Sequence, residues 1–273
     1  MSQYVNQIRE QISTDQRVQG KWFALLDASQ IPLKEQAVWA GFVSSWHNLL
    51  DDSPEGEHPD LTAWLFNASD KMLDLTLELS IQYPHSITWF YSDWPISQIH
   101  SYWRALSHIH LPERRSGLCR FYDACVLLQL KTVLTAHQWR AVTAPVQQWL
   151  SIHPDGTLWC IDAAPSIVKN RGSITLIKSQ LDQLEKTNRP HWLIAQLMAN
   201  EYVDMNYANF ELYQRVNRSV LMMEQAGLNK PDQQYIFCAM TLDWPDEQIF
   251  SEGTESNLLS VKNKKIDLID IFG

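Results

Sequence analysis

The amino-acid sequence predicts an α/β fold, in which an N-terminal layered mixed sheet with flanking helices precedes an all-helical C-terminal lobe. In residues 1–163, short apolar runs alternate with stretches of helical spacing, the pattern of a layered α/β sheet. In residues 164–273, almost every segment has helical spacing. Turn-forming residues between 162 and 172 interrupt both patterns. We therefore predict an α/β domain at residues 1–163 and a helical lobe with a partly mobile tail at residues 164–273.

Five short apolar runs of the first part are predicted to be buried strands, because their length and aromatic content favour strands over helices. They are residues 22–26, 63–66, 87–91, 119–122 and 158–161. Between these runs, apolar side chains recur every three or four residues, which indicates helices that turn one face to the core. Ile99, Trp103 and Leu106 are one such set, and Leu127, Leu130 and Leu134 belong to another.

In the second part, helices are predicted at four places: residues 173–186, 192–205, 210–225 and 231–240. Pro190 separates the first two, since proline cannot continue a helix, and Gly227 is a fitting C-terminal cap for the third. After Phe250 the chain is rich in Ser, Asn and Lys and is predicted to be mobile up to residues 266–272. The alternation in that last segment allows it either to dock on the protein or to serve as a partner's strand.

Composition argues against several classes of partner. The chain has 22 basic and 31 acidic residues and a net charge of -9, so we expect neither nucleic acid nor an anionic membrane as a partner. Its first residues carry no apolar secretory signal, so we expect a cytoplasmic protein. The uncharged run 36–50 is too short for a membrane span. The four cysteines have no C-x-x-C spacing and are predicted to be reduced and buried.

The sequence has no familiar catalytic signature. It lacks the G-x-S-x-G elbow, the phosphate-binding G-x-x-x-x-G-K-[ST] loop and the dinucleotide-binding G-x-G-x-x-G turn, so we expect no enzyme of those classes and no cofactor. The pair His108 and His110, followed by Cys119 and Cys125, matches no zinc pattern, so we expect no metal. The 12 tryptophans can fill the core or anchor protein interfaces.

The most structured polar group is the run RFYD at residues 120–123. Alternation at a strand end would put Arg120 and Tyr122 on one face, with Asp123 as the N-cap of the next helix. One interpretation is structural, with Arg120 and Asp123 satisfying groups at a strand-to-helix junction. The other is functional, with Arg120 as a fork for a partner's carboxylate.

A hydrolase is the alternative from a different functional class. Asp27 ends the first predicted strand, and paired carboxylates at strand ends can divide the acid and base roles. Its partner would be Asp123 or Asp93, with His108 or His110 as the histidine. Capping or turn formation by Asp27 is the competing interpretation. A further possibility is a helical scaffold that dimerises through residues 173–250.

Three ordered motifs resemble the effector-adaptor family of bacterial type VI secretion, whose members are encoded beside VgrG spike and effector genes. They are LLDAS at residues 25–29, RFYDACVL at residues 120–127, and Pro145-Val146 followed by Trp149. The usual family patterns are L-L-D-G-A and R-F-Y-D-P-R-V-L, so this chain has Ala28 for Gly, Ala124 for Pro and Cys125 for the second Arg. The resemblance covers about residues 22–159.

The resemblance implies a non-catalytic adaptor that binds an effector, a toxin, in the cytoplasm and loads it onto its cognate VgrG spike protein. The binding residues that it suggests are Asp27, Arg120, Tyr122, Asp123 and Trp149. Because the family motifs lie in the N-terminal part and the C-terminal part varies, we predict that the first contacts the spike and the second helps to select the effector.

Overall fold

The computed structural model describes residues 3–15, 20–42, 46–58, 61–163, 173–203, 210–263 and 267–272. The chain forms two compact units, Met1–Leu184 and Glu185–Gly273. The first unit contains strands and helices, whereas the described elements of the second are all helices. This arrangement confirms the predicted fold class.

A six-stranded antiparallel sheet is the centre of the first unit. Its strands are Lys21–Asp27 (β1), His47–Asn48 (β2), Ala63–Asn67 (β3), Ile87–Ser92 (β4), Gln148–Ile152 (β7) and Leu158–Asp162 (β8), in the order β2-β3-β1-β4-β7-β8. A second, three-stranded sheet consists of His108–His110 (β5), Ser116–Leu118 (β6) and Ile174–Thr175 (β9). Only its β5–β9 pair is parallel among the described strands, so the expected mixture of directions lies in the small sheet.

Helices cover both faces of the large sheet. Those of the first unit are Gln3–Ser13 (α1), Leu33–Phe42 (α2), Asp70–Gln82 (α3), Ile96–Leu106 (α4), Ala124–Val133 (α5), Ala136–Val142 (α6) and Lys178–Thr187 (α7), the last of which runs into the second unit. On one face, the ring of Phe90 lies 4.8 Å from Trp103 of α4. On the other, the indole of Trp89 donates a hydrogen bond to Thr76 of α3 at 3.1 Å. Neighbouring residues of β4 therefore anchor opposite layers, as the alternation of a strand requires.

The second unit packs short helices around two apolar clusters. Its helices are Arg189–Ala199 (α8), Phe210–Gln225 (α9), Pro231–Met240 (α10), Asp246–Ile249 (α11), Glu252–Lys262 (α12) and Leu268–Phe272 (α13). Leu193, Leu197 and Val216 are buried in one cluster, and Met223 and Phe237 in the other. The helices α9 and α10 have the predicted bounds. Gly227 has a φ of +79° and ends α9, and Leu228 N–H donates to Met223 O at 2.8 Å, which confirms the predicted glycine cap.

Four of the five predicted strands are confirmed, since residues 22–26, 63–66, 87–91 and 158–161 lie in β1, β3, β4 and β8. The prediction of a strand at residues 119–122 is wrong. Phe121 N–H donates to Cys119 O at 2.8 Å and Asp123 N–H donates to Arg120 O at 3.0 Å, so this segment is a tight turn. Cys119, Phe121 and Tyr122 are nevertheless buried, because the turn packs in the same core as the apolar side chains of α5.

The division between the units falls after Leu184, whereas the sequence placed a boundary after residue 163. The intervening β9 and the start of α7 pack with the first unit. Ile174 and Leu176 are buried in its core, and the Gln180 side-chain amide donates to Val133 O at 3.0 Å. Beyond Phe250, where a mobile tail was predicted, the chain forms α12 and α13.

The cysteines differ in their exposure. None of the four, all of which lie in the described part of the chain, forms a disulfide. Cys119 and Cys238 are buried and Cys125 is half-buried, but Cys160 is exposed, so the prediction that all four are buried is wrong for Cys160. Cys160 lies on β8, where alternate side chains face away from the core. Within the described residues, no helix is long and apolar enough to cross a membrane.

Candidate functional site

Asp27 ends β1 and organises the turn that follows it. Its side chain is completely buried, and its Oδ1 accepts hydrogen bonds from Ser29 N–H at 3.0 Å and from the Ser29 hydroxyl at 2.7 Å. The carboxylate thus caps the short 3-10 turn Ala28–Gln30, as the capping interpretation predicted. Its other oxygen, Oδ2, is left for a partner from a different part of the chain.

That partner is Arg120, which lies in the turn before α5. Its Nη2 donates to Asp27 Oδ2 at 2.8 Å and to the Ser29 hydroxyl at 2.8 Å, and it forms an ion pair with Asp123 Oδ2 at 3.2 Å. The side chain is 39% exposed, and its Nε and Nη1 donate to none of the described residues. The Nη2 end of the guanidinium is therefore anchored, while the side chain as a whole is partly exposed.

Asp123 is the N-cap of α5, as predicted. Its Oδ1 accepts from Cys125 N–H at 2.9 Å and from Val126 N–H at 3.3 Å. Burial and the nearby charge of Asp27 raise the pKa of Asp123 to about 6, against the opposing effects of Arg120 and the two backbone donors. Although the carboxylate is paired with Arg120, burial still disfavours its charged form.

The cluster of Asp27, Arg120 and Asp123 contains two carboxylates and one guanidinium. Burial disfavours the charged guanidinium, but the two carboxylates outweigh burial and raise the pKa of Arg120. With both carboxylates ionised the cluster has an excess of negative charge, which repels a further carboxylate. The exposed part of the Arg120 side chain is consequently better suited to neutral carbonyl oxygens than to a further carboxylate.

Tyr122 and Trp149 lie in the core. Tyr122 is 2% exposed and packs edge-on against Phe121 with ring centroids 5.8 Å apart; burial, followed by the charge of Asp27, raises the pKa of its hydroxyl. Trp149, on β7, is completely buried, and its indole donates to the Thr88 hydroxyl at 3.0 Å. In this structure neither ring offers its face to a partner, so of the five predicted binding residues only Arg120 is substantially exposed.

The structure brings together only part of the hydrolase alternative. Asp27 and Asp123 share one guanidinium, but the hydrogen bonds and ion pairs of this cluster include no histidine among the described residues. His108 and His110 are exposed on β5 of the small sheet. Asp93 accepts a hydrogen bond from Gln147 and is not part of the cluster. In the described part of the chain, no three His, Cys, Asp or Glu side chains could hold a metal ion.

A second surface feature was missed by sequence reasoning. A pocket of about 540 Å³ lies between the loop at residues 49–58 and the end of α4. Its lining residues are Leu49, Leu50, Asp52, Ser53, Ser101, Arg104, Ala105 and His108. The available signals were the acidic run DDSPEGE at residues 51–57 and the spacing of His100 and Arg104, four apart on one helix face.

One family model matches part of the chain. Residues 22–141 match the family described as Domain of unknown function (DUF4123). The matched stretch contains Asp27, Arg120 and Asp123, so both sides of the ion-pair cluster lie inside it, whereas Trp149 lies beyond it. The comparison with curated proteins found no match, and neither did the comparison with solved structures.

Proposed function

We propose that this protein is a non-catalytic adaptor that binds a type VI secretion effector in the cytoplasm and loads it onto its cognate VgrG spike protein. The DUF4123 match supports this function, because the domain is known in proteins associated with type VI secretion effectors. The observation that carries the proposal is the position of Arg120, whose side chain is partly exposed while Asp27 and Asp123 anchor its guanidinium.

The geometry favours binding over catalysis. Asp27 and Asp123 have side chains that are 1% and 8% exposed, so a substrate has little access to either carboxylate. Each also caps the element that follows it, which gives both a role in the fold. A pre-positioned arginine edge, in contrast, loses little side-chain entropy when a partner binds.

The two units suit two partners. We propose that the first unit, which contains the motif residues, contacts the spike, and that the second helps to select the effector. Interfaces of about 1,200–2,000 Å² are typical of stable recognition, and separate units can supply one each. The second unit has exposed apolar side chains for such a contact, among them Trp192, Tyr202 and Leu221.

Co-purification tests the adaptor function. The full chain is expressed with tagged products of the neighbouring effector and VgrG genes, and both are expected to bind it. Binding to neither would overturn the proposal. The fragments 1–184 and 185–273 are then tested separately; if 1–184 retained the effector and ignored the spike, the assignment of units would be reversed.

The hydrolase remains the competing function because the raised pKa of Asp123 is also a property of catalytic acids and bases. The purified chain is assayed with chromogenic carboxylic and phosphate esters, and we expect no turnover. Turnover that Asp123→Asn abolishes in a folded protein would favour the hydrolase and contradict the adaptor.

A further inference from the structure

The turn between β5 and β6 has a strained backbone. Glu113 and Arg114 lie at its centre, each with a φ of +60°, and Arg115 N–H donates to Pro112 O at 3.3 Å to close the turn. A type I′ hairpin turn requires positive φ at both central positions, and asparagine and glycine are the residues that suit it. Glutamate and arginine are strained in this conformation, so the fold by itself does not favour their presence here.

The strands below the turn hold it in place. Ile109 of β5 pairs with Gly117 of β6 on one side and with Ile174 of β9 on the other. Ile109 and Ile174 are buried in the core, and Leu111 packs against that core. Leu111 N–H also donates to Arg115 O at 2.9 Å, next to the turn. A partner would therefore meet a turn that is already ordered, which lowers the entropic cost of binding.

The two adjacent arginines of this turn have no partner within the described fold. Arg114 and Arg115 are exposed, and neither guanidinium forms an ion pair or a hydrogen bond with a residue that the structure describes. Every other arginine in the described part of the chain has such a contact: Arg9, Arg104, Arg120, Arg140, Arg189, Arg215 and Arg218. The fold therefore does not account for the two guanidiniums at the turn.

The turn is a positive place on an acidic protein. Residues 111–116 contain two arginines and one glutamate, whereas the whole chain has a net charge of -9. Neighbouring guanidiniums suit carboxylates, which can accept two hydrogen bonds from each. The overall charge disfavours nucleic acid, but its repulsion of a small acidic segment is screened beyond about 8 Å at physiological salt. An acidic polypeptide segment is therefore the ligand that this turn fits.

The turn is close in sequence to the Arg120 cluster. Strand β6 ends at Leu118, two residues before Arg120, so five residues separate Arg115 from Arg120. Their Cα atoms are consequently at most about 18 Å apart, a distance that about six extended residues of a partner can span. The negative surroundings of Arg120 suit neutral oxygens, whereas the turn suits carboxylates. The two places are thus complementary in the chemistry that they recognise.

We propose that the β5–β6 turn is a docking point for an acidic segment of a partner polypeptide, whose carboxylates pair with Arg114 and Arg115. The inference rests on the proposed function where it takes the VgrG spike as that partner, since the turn belongs to the unit assigned to the spike. It adds the chemistry of the partner's docking segment and a second contact beside Arg120.

Two glycine substitutions test the proposal, because both relieve the backbone and only one removes a guanidinium. Arg114→Gly is compared with the wild type and with Glu113→Gly, which keeps both arginines. Lys71→Gln removes one positive charge at an exposed position of α3 and controls for net charge. Binding of the tagged spike and effector to the full chain is measured at low and high salt, and thermal melting verifies that each variant is folded.

Three further probes do not depend on either partner. They are a labelled peptide, Gly-Glu-Glu-Gly-Glu-Gly, its Gln counterpart and a labelled DNA duplex. The wild type should prefer the Glu peptide to the Gln peptide at low salt. The double variant Arg114→Gly/Arg115→Gln should remove that preference, because it removes both guanidiniums.

We expect both glycine variants to melt no lower than the wild type, since glycine adopts positive φ without strain. Arg114→Gly should nevertheless weaken spike binding by roughly five- to twentyfold at low salt and by less at high salt. Glu113→Gly should bind the spike at least as tightly as the wild type, and Lys71→Gln should bind it equally well.

The failures are distinguishable. If Arg114→Gly binds both partners as the wild type does, the docking inference is wrong and the adaptor function stands. Weaker binding of the effector alone would uphold the docking chemistry and reverse the assignment of units. If neither partner binds but the wild type prefers the Glu peptide through these arginines, the adaptor function is wrong and the docking inference stands. No preference for the Glu peptide, or tighter binding of the DNA duplex through the same arginines, would overturn the inference.

Discussion

At the scale of single residues, the fold depends on one guanidinium, that of Arg120, which pairs with carboxylates from two distant parts of the chain. Arg120 lies 93 residues from Asp27 in sequence and three from Asp123, yet it contacts both carboxylates. Removing it would leave two buried carboxylates without their cation, which costs much more than losing an exposed ion pair.

We predict that Arg120→Ala lowers the free energy of unfolding by about 2–3 kcal/mol, because water reaches the partly exposed site and limits the loss. Arg9→Ala is the control, since Arg9 and its partner Asp74 are both substantially exposed; it should cost less than about 1 kcal/mol. Urea unfolding at pH 7 measures both. Equal losses for the two variants would contradict the assigned role of the buried cluster.

A second prediction concerns the pH dependence caused by Asp123. Its pKa is about 6 in the folded chain, against an ordinary value of 3.8, so the folded state binds the proton more tightly than the unfolded state does. Stability from this group is therefore greatest below the ordinary value and is lost as pH rises through about 6.

Asp123→Asn removes this titration and keeps an oxygen that can cap α5. Relative to the variant, the wild type should lose about 1–3 kcal/mol between pH 4 and pH 7. Urea unfolding of both proteins across that range measures the difference. Parallel stability curves would show that the pKa of Asp123 is not raised.

The local part of this cluster could be predicted from the sequence, and the distant part could not. The role of Asp123 as an N-cap and that of Asp27 in a turn could be predicted, because each side chain binds backbone groups only two or three positions further along the chain. The contact between Asp27 and Arg120 depends on how β1 and the turn before α5 meet in the folded core, and no local pattern encodes it. The motif resemblance named both residues without indicating that they touch each other.

At the scale of elements, the loop before β3 depends on one glycine. A Cβ on Gly56 would collide with the carbonyl oxygen of Leu50, a backbone atom that cannot rotate away. Gly41, near the end of α2, has open space where a Cβ would lie. The two glycines thus provide a matched pair of positions.

We predict that Gly56→Ala lowers the free energy of unfolding by about 1–3 kcal/mol through this collision. Gly41→Ala should be neutral or stabilise by up to about 1 kcal/mol, because alanine has the higher helix propensity. Thermal melting of both variants measures the contrast. A neutral Gly56→Ala would mean that the loop has room to move away from Leu50.

Elements with mixed polarity were the hardest to predict. The strand β7 contains Gln148 and Ser151, and only its pairing with β4 and β8 makes it a strand of the sheet. The helix α12 lies in a stretch rich in polar residues, and for that reason the sequence predicted a mobile tail there. Its Leu258 and Val261 are nevertheless buried, and the Ser251 hydroxyl accepts from Thr254 N–H at its start.

At the scale of the whole molecule, the division after Leu184 has a measurable effect. Ile174 and Leu176 are 3% and 2% exposed and belong to the core of the first unit, although they follow the boundary predicted from turn residues. Turn-forming residues mark where a pattern stops, but they do not show which core the next residues join.

We predict that the fragment 1–184 folds and that 1–163 is less stable by at least about 3 kcal/mol. The shorter fragment lacks two buried apolar side chains, each contributing about 1.5–3 kcal/mol. Urea unfolding followed by tryptophan fluorescence compares the two. Identical midpoints would place the boundary of the folding unit at residue 163.

The exposed Cys160 offers a practical consequence. Burial raises the pKa of the Cys119 and Cys238 thiols to about 12 and raises that of Cys125 as well, so these three react slowly at neutral pH. A maleimide dye should therefore label Cys160 on β8 selectively, without any substitution in the chain. Single-molecule counting of that dye could then reveal how many copies of this protein accompany each cargo.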